Sequence, residues 1–427
     1  MPPIGAVRGT HDVLPAQARA WEWLHQAHDR IAASFGYQLV QTPIIEHTEL
    51  FERAVGAGTD IVDKEMFTFI DRGNRSITLR PEGTAGVVRA TLSAGLAQQA
   101  RPLRVRYSGP MFRYDKPQRG RYRQFEQVGI ECLGDRSAHL DAEVIEVGVG
   151  FLAALGIGGV TVQVNTLGDA ADRARYREAL VAYYTPVRDQ LCADCRRRLQ
   201  QNPLRLLDCK ADSALAEAAP RIDGWLSPES AGAFATVLAD LDAAGIEHIR
   251  NHRLVRGLDY YVHTAFEVWH PSLQGAQNAL GGGGRYDGLA GVLGLPATPG
   301  VGYSFGVERL LSVAGELGQA PSDSDSVDVA VLALGPDQVI PAAAVARRLR
   351  GAGLRTVLDA SERRSGAKVR AAAGLGAIAA VLIGEVEVAG GSAAVRDLRA
   401  ETQATVALTD LETAVRAVVG STAPAPR

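Results

Sequence analysis

Residues 103–134, LRVRYSGPMFRYDKPQRGRYRQFEQVGIECLG, decide the fold. Both ends alternate apolar and polar side chains, the period-two pattern of half-buried strands. A basic loop, Asp115 to Tyr122, lies between them, so the segment predicts two antiparallel strands joined by that loop. Gln127 and Glu131 are four apart on the returning strand and share a face, and Arg113 stands at the end of the outgoing one. An arginine's planar fork binds two phosphate oxygens at once, which suits a site for phosphate plus a polar ligand. Read alone, the segment is also an exposed hairpin with ordinary surface arginines.

Working outward, Trp21, Leu24, His28, Ile31 and Phe35 recur at three and four residues after Pro15 and predict an amphipathic helix. QLVQTPIIEH (38–47) is β-like, its Pro43 suiting an edge, a bulge or an interface. MFTFI (66–70), SITLR (76–80) and TVQVNT (161–166) are further strand candidates. Residues 168–250 turn helical and irregular and read as an insertion in one larger domain, 1–320. Strand pattern returns in DYYVHTAFEVW (259–269), followed by a glycine-rich turn, GGGGRYDGL (281–289), and a strand leading into a helix, GVGYSFGVERLL. The polar stretch 315–328 has linker composition. Beyond it, strands and helices alternate over 328–427, predicting a compact α/β domain. No internal repeat is present.

Composition narrows the class. With 427 residues, 46% apolar and 22% charged, the chain has material for more than one globular core and is neither collagenous nor wholly disordered. Its most apolar stretch, Ala371 to Gly384, is short of the ~20 residues of a membrane span and is broken by Gly374 and Gly376. The N-terminus lacks an apolar signal core, and four cysteines do not make a disulfide framework, so a cytoplasmic location is expected. The net charge of −3 conceals two basic islands: Arg101, Arg104, Arg106, Arg113, Lys116, Arg119, Arg121 and Arg123, then Arg347, Arg348, Arg350, Arg355, Arg363, Arg364, Lys368 and Arg370. They fit a polyanion touched at two places, or solvated helix faces.

Three more segments carry candidate chemistry. LRPEGTAG (79–86) sets Glu82 and Thr84 about a Pro–Gly turn, where they would grip an ammonium group, or Glu82 would cap a helix starting near Thr84. RGLDYY (256–261) puts Arg256 ahead of Tyr260 and Tyr261, which on a strand face opposite ways, so only one would enter a given site. The glycines of 281–284 permit close approach of a ligand or a backbone. Their context is not that of a dinucleotide fingerprint, and there is no P-loop.

Taken in order, RGTHDVLP, TLRPEGTAG, FRYDKPQRGRYRQFEQVGIE, LVRGLDYYVHTAFEV, GGGGRYDGL and GYSFGVERLL resemble the histidyl-tRNA synthetase family of class II aminoacyl-tRNA synthetases, from about residue 4 to about 415. The resemblance implies an α+β catalytic domain, an antiparallel sheet flanked by helices, with a helical insertion and a C-terminal α/β anticodon-binding domain. Pro43 would lie in the family's dimer-forming motif 1, residues 104–134 would be motif 2, and GYSFGVERLL motif 3. ATP would activate L-histidine to histidyl-adenylate, and the histidyl group would pass to the 3′ end of tRNA(His), leaving AMP and pyrophosphate. By the family pattern Arg113 and Arg256 would hold the α-phosphate and Arg309 would lie near the γ-phosphate and adenine. Phe125 would stack on adenine, and Mg²⁺ would be shared among the phosphates. Glu82, Thr84 and Gln127 would hold the α-ammonium, and Glu131 and Tyr261, with Tyr260 nearby, the imidazole. Gln118 and Arg119 would read the extra 5′ guanosine of tRNA(His). A homodimer without membrane attachment is implied.

A histidine-sensing regulatory relative, without anticodon domain or ATP-handling arginines, is the alternative; Arg113, Arg256, Arg309 and the C-terminal domain speak against it. Cys192-x₂-Cys195 and, after thirteen intervening residues, Cys209 offer three thiols. Asp208 is the conceivable fourth zinc ligand. The reading here is reduced cysteines in a helical insertion and no protein-held metal.

Overall fold

The computed structural model describes residues 4–56, 59, 61–116, 120–273, 279–321 and 327–420. The chain divides into two compact units, Met1–Ser322 and Asp323–Arg427.

In the first unit the strands are β1 (Gln38–Leu39), β2 (Ile45–His47), β3 (Phe67–Ile70), β4 (Ser76–Leu79), β5 (Leu103–Phe112), β6 (Gln124–Leu133), β7 (Thr161–Thr166), β8 (His248–Arg250), β9 (Val262–Trp269), β10 (Ala279–Arg285) and β11 (Gly300–Gly306). Eight form one sheet in the order β1-β5-β6-β11-β10-β9-β7-β8, and β2-β4-β3 form a second. The six central strands run antiparallel, with β1 and β8 added in parallel at the edges. The predicted hairpin is β5–β6, ten residues paired with ten from Leu103↔Leu133 to Phe112↔Gln124. The run holding Pro43 splits between the two sheets, and the proline, having no N–H to give a ladder, falls in the gap.

The main sheet has two unlike faces. On β6, Val128, Ile130 and Cys132 join Val301, Tyr303 and Phe305 of β11 in an apolar core. Helices Pro15–Ser34, Ala138–Ala154, Pro228–Ala243 and Val307–Glu316 close that core with Leu24, Phe151, Val237 and Leu310. The alternate residues, Gln127, Gly129 and Glu131 on β6 and Gly300, Gly302, Ser304 and Gly306 on β11, point the other way. That face receives the helix Thr84–Ser93 and the cleft described below.

Two expectations need correction. The glycine run 281–284 is not a turn but the middle of β10, between β9 and β11. A Cβ on Gly283 would lie 1.9 Å from the Gly302 carbonyl oxygen, so only glycine lets these two strands pack as they do. Tyr260 and Tyr261 precede β9 instead of lying on it, which frees both from alternation. The segment 168–250 is also tied to the sheet: β8 pairs with β7, and the helix Pro228–Ala243 buries Phe234, Val237 and Leu241 in the core.

The second unit has β12 (Val329–Ala333), β13 (Thr356–Asp359), β14 (Ala379–Ile383), β15 (Ser392–Asp397) and β16 (Gln403–Ala407) in the order β13-β12-β14-β15-β16. The first three are parallel and the last two antiparallel. β12 is buried along its whole length because apolar side chains pack on both of its faces. No helix among the described residues is long and apolar enough to cross a membrane.

Candidate active site

A cleft of about 350 Å³ opens on the polar face of the large sheet. Arg113, Arg256, Arg309, Glu82, Thr84, Phe125, Gln127, Tyr260 and Tyr261 all line it, so residues spread from Glu82 to Arg309 along the sequence meet in one place. Glu131 lies fully buried against the same floor. Gln118 and Arg119 lie outside the described residues.

Glycine makes the floor possible. A Cβ on Gly302 would fall 1.8 Å from Glu131 Oε2, and one on Gly282 would fall 2.9 Å from Arg256 Nη1. The strand glycines therefore make room for the side chains on the cleft face, besides letting backbones pack.

The cations are placed by strand and helix ends. Arg113 follows β5, its Nε donating to Pro81 O at 2.8 Å and its guanidinium carbon 5.3 Å from the Phe125 ring centroid. Arg309, in the first turn of the helix Val307–Glu316, donates from Nη1 to Ala279 O at 2.8 Å. Arg256 Nη1 meets Glu267 Oε1 at 2.5 Å, while its Nε is buried with no hydrogen-bond partner among the described residues. Burial lowers the pKa of Arg113 and of Arg309, and Arg121 and Arg113 push that of Arg309 further down. Burial also opposes the charge of Arg256, but Glu267 and the two tyrosines outweigh it and raise its pKa. These groups stay charged and crowd together in a partly desolvated cleft, an arrangement that a polyanion relieves.

Beside them lies a second, smaller group. Glu82 accepts from Thr84 N at 2.7 Å and Ala85 N at 3.0 Å, so the helix-cap reading holds, yet its carboxylate faces the cleft. Thr84 Oγ1 donates to Glu131 Oε1 at 2.7 Å, and Tyr286 Oη donates to Glu131 Oε2. Burial pushes Glu131 up to about 8 despite these bonds, with Glu82 raising it too. Gln127 Oε1 is buried and has no partner among the described residues. The Tyr260 and Tyr261 rings pack tilted at 54° with centroids 4.6 Å apart, and Tyr286 lies 5.7 Å from Tyr260. The group offers acceptors for an ammonium and a ring-lined pocket with a buried carboxyl at its base.

Sequence reasoning missed four residues here. Tyr286 lies in the quoted glycine segment, Glu267 is the lone carboxylate of β9, and Glu308 precedes Arg309. Glu65 ends a short helix, Ile61–Glu65, that carried no signal. Glu308 accepts the Glu126 amide at 3.0 Å and is pushed up to about 7 by burial. The fourth partner of the thiols is also corrected. Asp208 pairs with Arg205 at 3.3 Å, and Asp212 is the carboxylate beside Cys192, Cys195 and Cys209.

The basic islands are partly structural. Arg104 pairs with Glu143 at 3.0 Å and Arg106 with Asp29 at 2.6 Å. In the second unit Lys368 is buried, its ammonium donating to Ala333 O, and Arg355 pairs with Asp328. Arg347, Arg363, Arg364 and Arg370 remain exposed.

An antiparallel sheet carrying a triad of arginines over a ring-lined pocket, followed by a separate α/β unit, defines a class II aminoacyl-tRNA synthetase architecture. Residues 9–310 match the histidyl-tRNA synthetase family model, and residues 328–418 match the anticodon binding domain. A histidine–tRNA ligase of Syntrophomonas wolfei is 42% identical over 418 residues, 97% of this chain and 99% of the relative. One from a Synechococcus species is 45% identical over 415 residues, 96% of this chain and 94% of that protein. The crystal structure of apo S. aureus histidyl-tRNA synthetase superposes with a TM-score of 0.82 at 34% identity, covering 98% of this chain and 100% of that one. The chain belongs to the histidyl-tRNA synthetase family and is an aminoacyl-tRNA ligase.

Proposed function

We propose that the cleft joins L-histidine to ATP, giving histidyl-adenylate and pyrophosphate, and then passes the histidyl group to tRNA(His). The observation that carries this reading is the adjacency of three arginines at the mouth and the buried Glu131–Tyr286–Thr84 group at the base. One end suits a triphosphate and the other a small polar ring.

In this reading Arg113 and Arg256 hold the α-phosphate, and Arg309 lies near the γ-phosphate and adenine. Adenine stacks on Phe125. The histidine carboxylate attacks the α-phosphorus in line, and the new oxygen–phosphorus bond forms as the bond to pyrophosphate breaks. The nucleophile is already ionised, so no general base is needed. Charge building on the crowded phosphate oxygens is the main barrier, and fixed guanidinium groups answer it without reorganising. Mg²⁺ arriving with ATP neutralises phosphate charge, and Glu308 and Glu267 are cleft carboxylates of the hard-oxygen type that suits it.

Glu82 and Gln127, with Thr84 fixing the group beside them, take the α-ammonium. Glu131 and Tyr261 take the imidazole nitrogens, and Tyr260 closes the wall. An apolar side chain would leave these groups unpaired, which discriminates on the order of 10⁴-fold. The exposed arginines of the second unit position the anticodon stem-loop through its phosphates. Gln118 and Arg119 read the 5′ guanosine. A homodimer through the segment about Pro43 is supported by exposed Leu39, Ile44 and Ile45 and by β1 being a sheet edge. Four unbridged cysteines support a reducing, cytoplasmic setting.

The test is exchange of labelled pyrophosphate into ATP without tRNA. Exchange with histidine and with no other amino acid is expected. A folded chain that binds histidine but gives no exchange would replace this reading with a histidine-sensing regulatory protein.

A further inference from the structure

We propose that Cys192, Cys195, Cys209 and Asp212 form a structural zinc site that clips together the helical segment 168–250. One ligand atom from each of the four lies within 4.8 Å of the other three. Four ligands around zinc at Zn–S distances of ~2.3 Å make a tetrahedron with edges of roughly 3.8 Å. The Cys192 and Cys209 sulfurs are 3.9 Å apart, and Cys209 Sγ is 3.7 Å from Asp212 Oδ2. A disulfide needs ~2.05 Å, and all the cysteines are unbridged.

The local backbone is built around the cluster. Cys192 precedes the helix Ala193–Gln201 as its N-cap, and its sulfur accepts the Cys195 amide at 3.4 Å. Asp212 is the N-cap residue of the helix Ser213–Glu217, its side chain left for the cluster instead of bonding that helix's amides. The sequence is thus two matching knuckles, Cys-x₂-Cys and Cys-x₂-Asp, separated by thirteen residues. The Cys192 amide donates to Asp212 Oδ1 at 3.2 Å and Oδ2 at 3.1 Å, which joins the knuckles and orients the carboxylate as a partner outside the metal does for a ligand.

The donor set chooses the metal. Three thiolates and one carboxylate in a tetrahedron suit zinc, and four protein ligands leave no open position, which marks a structural site. Arg196, Arg197 and Arg198 follow on the same helix and offset the net negative charge of such a centre. The segment needs a clip, because between Tyr184 and Pro228 it consists of helices of four to nine residues.

The test uses the full chain, purified under reductant without a metal-affinity step. Elemental analysis after exhaustive dialysis should find one zinc per chain. Cys209→Ser should abolish it. Asp212→Ala should weaken zinc affinity by more than the ~100-fold upper end of what loss of a mere outer partner costs, read by competition with a chromophoric chelator. Cobalt(II) added to chelator-stripped protein should give the intense absorption of a tetrahedral site and a thiolate-to-metal band. Zinc content unchanged in Cys209→Ser would overturn the proposal. So would a folded, zinc-free chain whose three thiols react with a disulfide reagent at rates that added zinc does not alter. Should Cys209→Ser not fold, the cobalt spectrum of the unaltered chain decides: without a thiolate band the proposal fails.

Discussion

Arg285 and Arg256 meet the same strand, and they are spent differently. Arg285, on β10, is almost fully buried and gives every donor to the fold. Its Nε lies 2.9 Å from Asp141 Oδ1, its Nη1 bonds Asp287 and Asp135 O, and its Nη2 bonds Ser137 O. Arg256, whose Nη1 would touch a side chain placed at Gly282, gives one donor to Glu267 and leaves Nε unpartnered among the described residues. A completed buried ion pair fixes a structure, and removing one member strands the other. An incomplete one beside a cleft keeps its remaining capacity for what enters. If Arg256 acts as proposed above, the two arginines separate stability from chemistry within a few residues of sheet.

The comparison breaks first at Arg256. Arg256→Ala should slow pyrophosphate exchange by about 10³-fold or more, as losing a charge-stabilising arginine does in phosphoryl transfer, with the unfolding midpoint little changed. Near-normal exchange would remove Arg256 from the mechanism. The mirror experiment is Asp141→Ala, which leaves Arg285 buried with its main partner gone. Stability should drop by about 3–5 kcal/mol in urea unfolding, while exchange per folded molecule stays within a few-fold. If exchange falls as far as stability, the division between the two arginines is wrong.

A pH measurement sharpens the same division through Glu131. Burial holds its carboxyl up at about 8 in the folded chain, against 4.5 as its ordinary value. The unfolded chain therefore loses this proton first, and the folded chain keeps it. The stabilisation from this group is full at acid pH and is lost as pH rises through the window from 4.5 to about 8, with a limiting slope of about 1.4 kcal/mol per pH unit. Glu131→Gln should flatten that part of the stability profile. An unchanged slope in the variant would assign it to another group, with Glu308, pushed up to about 7, next to be tested.

How much of this was legible depended on where the partners lay. The β5–β6 hairpin could be read because strand alternation is local, and so could the helix after Pro15. Arg104 and Arg106 could not be told from polyanion-binding residues, since their acids, Glu143 and Asp29, lie 39 and 77 residues away. The glycine run looked like a turn because glycine is depleted in strands. Its reason for being in β10 is what the neighbouring strand and Arg256 would otherwise strike. A strand starting at Asp259 would set the two tyrosines on opposite faces, but β9 begins at Val262, past both of them. Glu267 did carry a signal, a single carboxylate in the mostly apolar half of β9 after Thr264, as did Asp212, which repeats the spacing of Cys192 and Cys195.

The smallest effect is expected at Tyr286. Its hydroxyl donates to Glu131, and its ring packs against Tyr260. Tyr286→Phe keeps the ring and deletes the donor, leaving Glu131 with Thr84 as its remaining side-chain bond described above. Glu131 keeps its proton at neutral pH, so the bond joins neutral groups and contributes about 0.5–1.5 kcal/mol, and an incoming imidazole that pairs with Glu131 would restore part of this. The loss should therefore appear as a rise of a few-fold in the KM for histidine, with the KM for ATP and the unfolding midpoint nearly unchanged. Because the phosphate end is untouched, kcat should fall less than KM rises. An equal loss at both substrates would mean that Tyr286 supports the whole cleft, and the boundary between its histidine end and its phosphate end would have to be redrawn.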